Sequence, residues 1–141
     1  MRIAVIGSGS WATALAKVLV DNGHPIRWWV REASIIDSFQ RKKHNPRHLT
    51  STRFPVEQIQ FSTDLNAVLS ESDLVLIAVP AAYLESTLGG TDPAAWKGKK
   101  VISAVKGLLP GSNLLLNDYL FQHAELPLTD YFALLGPSHA E

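Results

Sequence analysis

Three common features are absent from this sequence. There is no cysteine, so disulfide bridges, thiolate metal ligands and cysteine nucleophiles are excluded. There is no excess of charge, since 13 lysines and arginines balance 13 aspartates and glutamates, and this balance argues against broad binding to nucleic acid or membranes. No apolar run approaches the roughly 18 residues of a membrane span, and Ile3–Ile6 is too short for a signal peptide. We therefore expect a soluble, cytoplasmic protein.

The residues that are present are typical of one globular α/β domain. The chain has 141 residues, close to the length of one domain, and 46% of them are hydrophobic. Short apolar runs alternate with segments of helical periodicity, which predicts a doubly wound parallel sheet with right-handed crossovers. No linker or repeat divides the chain, so residues 1–141 are expected to form a single domain.

The alternation predicts six strands and five helices. The predicted strands are 2–6, 25–30, 58–61, 73–79, 100–105 and 131–135. The predicted helices are 11–20, 32–39, 64–69, 83–88 and 113–122. Gly23 is expected to end the first helix in a left-handed conformation, and Ser62 or Thr63 to cap the third. Two prolines break residues 43–55, which are expected to be irregular.

A glycine-rich turn follows the first predicted strand and opens the first predicted helix. Gly7-x-Gly9-x-x-Ala12 fits the dinucleotide-binding fingerprint, whose third position is glycine or alanine. In that fingerprint Gly7 permits the turn, Gly9 lets backbone approach the pyrophosphate, and Ala12 packs the helix close to the sheet. The helix start offers free N–H groups and a positive dipole end to phosphates. Glycine pairs also form ordinary turns, but the position between strand and helix favours a Rossmann-type site for NAD or NADP.

The end of the second predicted strand bears on which cofactor is held. NAD sites usually place an acidic residue there, about 20 residues after the glycines, on the ribose 2′-hydroxyl. In this sequence Arg31 stands there, and its guanidinium could pair with the 2′-phosphate of NADP or stack on adenine. Glu32 is the competitor if the strand runs one residue further, and a solvent-exposed helix start is the alternative to both. The pattern favours NADP.

Three segments follow the other predicted strands, where ligands bind in doubly wound sheets. Pro80 ends the central strand and turns the chain across the crevice, which makes it a candidate cofactor contact or a simple strand terminator. Lys106 precedes Gly107 and either faces the crevice as a cation or is an ordinary solvated lysine. The last segment is Gly136-Pro137-Ser138-His139-Ala140, which offers a hydroxyl and free amides.

A locally basic stretch lies between the second helix and the third strand. Its members are Arg41, Lys42, Lys43, His44, Arg47, His48 and Arg53. The stretch is typical of a helix end followed by a solvated loop, with attraction of nucleotide phosphates as the alternative. No aromatic platform is interleaved, so nucleic acid is not an expected partner. Pro46 breaks the helix that would align His44 with His48, and no metal site is expected.

Together these segments resemble the N-terminal part of the NAD(P)-dependent glycerol-3-phosphate dehydrogenases. The resemblance covers essentially the whole chain in the family's order. It rests on residues 7–16, 45–49, 78–80, 106–107 and 136–141. Trp11 and the closing Gly136-Pro137-Ser138 are the most diagnostic. Departures are His48, where the family often has tyrosine, His139, where phenylalanine is common, and Ala12, which replaces a frequent glycine.

The resemblance implies a set of roles. Cofactor contacts are implied for Ser10, Trp11, Arg31, His48, Lys106 and Ala140, and substrate contacts for Lys106, Gly136 and Ser138. The implied reaction is reversible hydride transfer between NAD(P)H and dihydroxyacetone phosphate or glycerol 3-phosphate, feeding glycerophospholipid synthesis, with Lys106 as the catalytic cation. Family members continue into a helical domain with the proton-donating lysine, and the whole protein is a possible homodimer. We therefore expect residues 1–141 on their own to bind the cofactor but to lack full activity.

Two other functions fit the same fold. A nucleotide-sensing module would bind without turnover and would need neither Lys106 nor the segment at 136–138. An S-adenosylmethionine enzyme normally has an acidic residue at the end of the second strand, where this sequence has Arg31. Both interpretations explain fewer of the quoted residues than the dehydrogenase does.

Overall fold

The strands and helices alternate along the chain. The computed structural model describes residues 1–134. The strands are β1 Ile3–Ile6, β2 Ile26–Trp29, β3 Ile59–Ser62, β4 Leu74–Ile77, β5 Lys100–Ser103 and β6 Tyr131–Ala133. The helices are α1 Ser10–Asp21, α2 Ala33–Lys42, α3 Leu65–Ser70, α4 Ala81–Gly89 and α5 Leu116–Ala124. Short 3-10 turns occupy Val56–Gln58, Pro93–Trp96 and Leu128–Asp130.

All six strands form one parallel sheet in the order β3-β2-β1-β4-β5-β6. The chain builds outward from β1 on one side and then crosses to β4 on the other, so the strand order reverses between these two strands. Ile6 aligns with Trp29 of β2 and with Ile77 of β4, which brings the carboxyl ends of the three strands to one edge. The predicted doubly wound sheet is confirmed, and its crevice lies at that edge.

Strand β1 contributes to two hydrophobic cores because its side chains alternate between the two faces of the sheet. Val5 packs with buried residues of α1 and α2, whereas Ile6 packs with those of α3, α4 and α5. Both faces are therefore covered, and every residue of β1 is buried. This explains why the strands at the centre read as continuous apolar runs rather than as alternating ones.

An aromatic cluster anchors the irregular segment 43–55. The Trp28 indole is fully buried, and its ring lies 5.2 Å from Phe39, 5.6 Å from Phe54 and 5.7 Å from Phe61 between centroids. Phe54 is the contribution of the irregular segment, and it is buried. The segment has no helix or strand, as predicted, yet this packing holds its end against the sheet.

Several boundaries differ from the predicted ones. The fifth helix begins at Leu116 rather than at 113, because Asn113 has a left-handed φ of 59° and cannot continue a helix. The third helix is capped by the Asp64 carboxylate, which accepts from the Ala67 N–H at 3.2 Å, so the expected caps at Ser62 and Thr63 were wrong. The left-handed end of the first helix is confirmed, since Gly23 has a φ of 80°.

The central strand β4 also ends earlier than predicted, at Ile77. Pro80 stands immediately before α4, which therefore begins at Ala81 and not at 83. Among residues 1–134 no helix is long and apolar enough to cross a membrane.

Candidate cofactor site

A cleft of about 700 Å³ lies beyond the carboxyl ends of β1, β2 and β4. It contains five residues that the sequence predicted for the site, namely Gly7, Gly9, Arg31, His48 and Pro80. The other lining residues are Ser8, Trp29, Glu32, Ile35, Asn45, Arg47, Val79, Tyr83, Ser86 and Thr87. The structure thus brings segments from four parts of the chain together where the strand order reverses.

The two glycines of the turn differ in what they allow. Gly7 has a φ of 115°, and a Cβ on it would lie 2.5 Å from the Ala78 carbonyl oxygen, so the fold itself requires glycine there. Gly9 has a φ of −76°, which any residue adopts, and a Cβ on it would meet nothing within 4 Å. The fold therefore does not require Gly9, and its missing side chain leaves open space at the cleft.

The amino end of α1 lies at this space, because its N-cap, Gly9, is one of the residues that line the cleft. Gly9 is the N-cap, and no side chain caps the helix. The Gly9 carbonyl accepts both the Thr13 N–H at 2.9 Å and the Thr13 hydroxyl at 2.7 Å. The first N–H groups of a helix have no carbonyl partner within it and carry the positive end of its dipole. An anion placed beside Gly9 would find both.

Asn45 connects the 43–55 segment to the glycine-rich turn. Asn45 is 1% exposed, and its side chain donates to the Ser8 carbonyl at 3.0 Å and to the Thr13 hydroxyl at 2.9 Å. Its amide oxygen accepts the backbone N–H groups of Arg47 at 2.9 Å and His48 at 3.1 Å. Carbonyls only accept and backbone N–H groups only donate, so these partners determine the orientation of the amide.

The sequence did not predict a role for Asn45. Asn45 begins the segment 45–49 that carries part of the family resemblance, but it shows no periodicity and belongs to no catalytic motif, so the sequence assigns it no role. Its importance comes from partners 32 and 37 residues away along the chain. Arg47 was noted only as part of a basic stretch, and Tyr83, whose ring is exposed at the cleft, was not singled out.

The rim of the cleft beside β2 carries most of its charge. The Arg47 guanidinium lies 3.2 Å and 3.4 Å from the two carboxylate oxygens of Glu32. β2 ends at Trp29, so the strand does not extend toward Glu32, which instead is the N-cap of α2. Arg31 is exposed and has no ion-pair partner within residues 1–134. His48 Nδ1 lies 3.2 Å from Ser10 Oγ, which joins the loop to α1.

Other predicted residues lie outside the cleft lining. Ala12 is fully buried and packs α1 onto the sheet. Trp11 packs at the edge of the same core, and its buried Nε1 has no hydrogen-bond partner in the part of the chain that the structure describes. Lys106 is exposed in the loop after β5, where Gly107 has a left-handed φ of 76°. Cofactor contacts of these residues stay predictions.

The last predicted segment lies outside the described residues. It includes Gly136, Ser138 and Ala140, together with the departure at His139. Within residues 1–134 no group of three or more histidine, aspartate or glutamate side chains is arranged to hold a metal ion. Of the basic stretch, only Arg47 and His48 line the cleft, while Arg41 and Lys42 lie in the last turn of α2.

The sheet order and the site define the class of this protein. A parallel sheet ordered 3-2-1-4-5-6, with a glycine-rich turn after its central strand, is the Rossmann class of domain. The sequence model described as "NAD-dependent glycerol-3-phosphate dehydrogenase N-terminus" matches residues 2–141. The chain belongs to this family.

Individual relatives agree with the family assignment. The chain is 31% identical over 140 residues to the "Glycerol-3-phosphate dehydrogenase [NAD(P)+]" of Agathobacter rectalis. This match covers 99% of this chain and 41% of that protein. It is 36% identical over 140 residues to the protein of the same name from Geobacillus kaustophilus, with 99% and 40% coverage. The chain thus spans about two fifths of the length of these relatives.

A solved structure shows the same arrangement. The crystal structure of glycerol-3-phosphate dehydrogenase from Coxiella burnetii superposes with a TM-score of 0.75 at 31% sequence identity. The superposition covers 89% of this chain and 38% of the other. The structural similarity therefore extends over nearly all of this chain and over a minor part of the longer protein.

Proposed function

We propose that residues 1–141 are the cofactor-binding domain of a glycerol-3-phosphate dehydrogenase and hold NAD or NADP in the cleft. The observation that supports this most strongly is the open space at Gly9, where the fold has no need of glycine. A pyrophosphate in that space would meet the free N–H groups of α1 and the positive end of its dipole. The donors suit an anion, and the cleft volume is ample for a dinucleotide half.

The residues on either side of the pyrophosphate would contact different ends of the cofactor. Arg31 and His48 lie on the side of β2 and would contact the adenosine ribose and its substituents, with Ser10 at the start of α1 close by. Pro80 follows β4 on the other side of the crevice, toward the nicotinamide end. Ala12 would act through close packing of the helix, and Trp11 through the face of its indole beside the turn.

We assign the substrate side to Lys106 and to the segment that follows β6. A bound nicotinamide would supply the redox chemistry, giving hydride from its C4 to the C2 of dihydroxyacetone phosphate in its reduced form, or taking hydride from the C2 of glycerol 3-phosphate in its oxidised form. Lys106 would attract the substrate phosphate or stabilise the developing alkoxide, and Gly136 and Ser138 would bind the substrate. Ala140 is assigned to the cofactor. The product would feed glycerophospholipid synthesis.

The whole protein is proposed to act in the cytoplasm on this small phosphorylated substrate, with a second copy of itself as its protein partner. The balance of charges in the sequence disfavours nucleic acid as a partner. Part of the catalytic machinery, including the proton donor, is assigned to segments beyond the cofactor domain, in keeping with the length of the relatives.

The test is a calorimetric titration of this chain with NADH and with NADPH, followed by an assay with dihydroxyacetone phosphate. We expect saturable one-to-one binding of at least one cofactor and negligible turnover, because general acid–base assistance alone is typically worth about 10²–10⁴-fold. Absence of binding to both cofactors would refute the proposal. Turnover near that of a complete dehydrogenase would refute the assignment of the proton donor to other segments.

A nucleotide sensor is the alternative function, and the same protein preparation separates the two. A sensor binds the cofactor, but it does not bind the substrate, with or without cofactor. A dehydrogenase domain whose Lys106 reaches the substrate should bind dihydroxyacetone phosphate or glycerol 3-phosphate more tightly when cofactor is present. Titration of the substrate with and without saturating cofactor measures this coupling.

A further inference from the structure

An acidic residue and a basic residue neutralise each other at the rim of the cleft. Glu32 follows β2 closely, in the region where acidic residues of Rossmann domains bind the ribose 2′-hydroxyl. Its two carboxylate oxygens face the two terminal nitrogens of Arg47 at 3.2 Å and 3.4 Å, in a bidentate arrangement. Both residues line the cleft. The carboxylate that would repel a 2′-phosphate is thus already paired.

The position of Arg47 is determined by the fold rather than by the ion pair. Its backbone N–H donates to the buried amide oxygen of Asn45, which in turn bonds to the glycine-rich turn. Phe54 anchors the far end of the same segment in the aromatic cluster. The Arg47 backbone therefore stays beside Glu32 whatever its guanidinium contacts.

The charges at this rim favour an anion. Arg31 and Arg47 contribute two positive charges and Glu32 one negative charge, which leaves an excess of one positive charge near the end of β2. The side chains of Arg47 and Glu32 are 58% and 47% exposed, and ion pairs of this kind add little to stability. Arg47 can therefore be changed without unfolding the domain.

We propose that Arg47 is a specificity-determining residue that screens Glu32 and so lets the cleft accept the 2′-phosphate of NADP. This inference rests on the proposed function of the cleft as a dinucleotide site. Without Arg47, the Glu32 carboxylate is free to accept the ribose 2′-hydroxyl of NAD and to repel the 2′-phosphate. The pair, and not Arg31 alone, determines the preference between the two cofactors.

The test is a double-mutant cycle with Arg47→Gln, Glu32→Gln and the double variant, each titrated with NADPH and NADH. Arg47→Gln should raise the Kd of NADPH by about tenfold, whereas the Kd of NADH should stay within about threefold or fall. In the Glu32→Gln background the same Arg47→Gln change should raise the Kd of NADPH by less than about threefold, because no carboxylate is left to screen. Arg53→Gln is the matched control, since Arg53 is exposed on the same segment outside the cleft lining.

The possible outcomes distinguish a failure of the Arg47 proposal from a failure of the proposed dinucleotide site. Equal losses for NADPH and NADH in Arg47→Gln would show a general effect of the loop and overturn the specificity role. A loss of NADPH affinity that is the same with and without Glu32 would overturn the screening role. Kd values for both cofactors that stay at the wild-type level in Arg47→Gln would overturn both roles, while cofactor binding by the wild-type chain would still support the dinucleotide site. A wild-type chain that binds neither cofactor would instead refute the proposed function.

Discussion

Two buried polar side chains bond to the backbone of the glycine-rich turn from different directions. The Trp28 indole N–H donates to the Gly7 carbonyl at 2.6 Å from within the sheet. The Asn45 amide donates to the Ser8 carbonyl at 3.0 Å from the 43–55 segment. These hydrogen bonds restrict the rotation of the two carbonyls and so favour one shape of the turn before a ligand binds. This preorganisation reduces the entropy lost on binding.

Asn45→Ala should therefore loosen both the fold and the cleft. It removes hydrogen bonds from four buried or half-buried groups, and leaving such groups unpaired costs about 1–3 kcal/mol. We expect a lower free energy of unfolding in urea and weaker binding of both NADH and NADPH. Asn117→Ala is the control, because Asn117 makes one side-chain bond, to Asp118 at 3.3 Å. Unchanged stability and affinity in Asn45→Ala would contradict the positioning role.

Arg31→Ala tests the contact assigned to the 2′-phosphate. A charge-assisted hydrogen bond to phosphate contributes about 1.5–3 kcal/mol, so NADPH affinity should fall by that amount and NADH affinity by much less. Arg41→Ala, which removes an exposed cation from the last turn of α2, should affect neither. Equal losses for the two cofactors in Arg31→Ala would indicate stacking on adenine instead.

Lys106→Met in the whole protein tests the catalytic assignment. The substitution keeps most of the side-chain volume and removes the charge proposed to stabilise the alkoxide. We expect kcat/KM for dihydroxyacetone phosphate to fall at least about a hundredfold, or about 2.7 kcal/mol, with only a modest change in cofactor affinity. A kcat/KM within a few-fold of wild type would make Lys106 an ordinary solvated residue of the loop after β5.

At the scale of helices and strands, local patterns predicted the six strands and five α-helices that the structure describes, but not all of their boundaries and none of the short 3-10 turns. Continuous apolar runs mark the central strands β1 and β4, because both faces of the sheet are covered there. The start of α5 depends instead on a tertiary contact. Ser112, next to the left-handed Asn113, donates its N–H and hydroxyl to the Glu85 carboxylate of α4 at 2.8 Å and 2.7 Å. A contact across 27 residues has no signature in either segment.

The cap of α3 gives a prediction at this scale. Asp64→Ala removes the carboxylate that accepts the Ala67 N–H, and loss of such a cap typically costs about 1 kcal/mol. Thr63→Ala is the control, since the Thr63 side chain does not cap the helix. Urea unfolding should show a lower free energy for Asp64→Ala and little change for Thr63→Ala. A larger loss of unfolding free energy in Thr63→Ala than in Asp64→Ala would instead support Thr63 as the cap, as the sequence predicted.

At the scale of the whole molecule, the sheet topology brings the site together and the irregular segment completes it. The fingerprint and the alternation were sufficient to predict the doubly wound sheet and the position of the crevice. They did not predict that the 43–55 segment forms the wall beside β2, because its placement depends on the buried amide of Asn45 and the buried ring of Phe54. Neither residue belongs to a periodic pattern, and both acquire their role only in the folded chain.

The space beside Gly9 gives the most direct test of the proposed pyrophosphate site. Gly9→Val adds a side chain that meets no protein atom within 4 Å of its Cβ, so the free energy of unfolding should hardly change. Gly90→Val is the control, because a Cβ on Gly90 also meets nothing within 4 Å and Gly90 lies outside the cleft lining. Calorimetric titration should show NADH and NADPH binding lost in Gly9→Val and retained in Gly90→Val. Unchanged affinity in a folded Gly9→Val protein would contradict the assignment of this turn to the pyrophosphate.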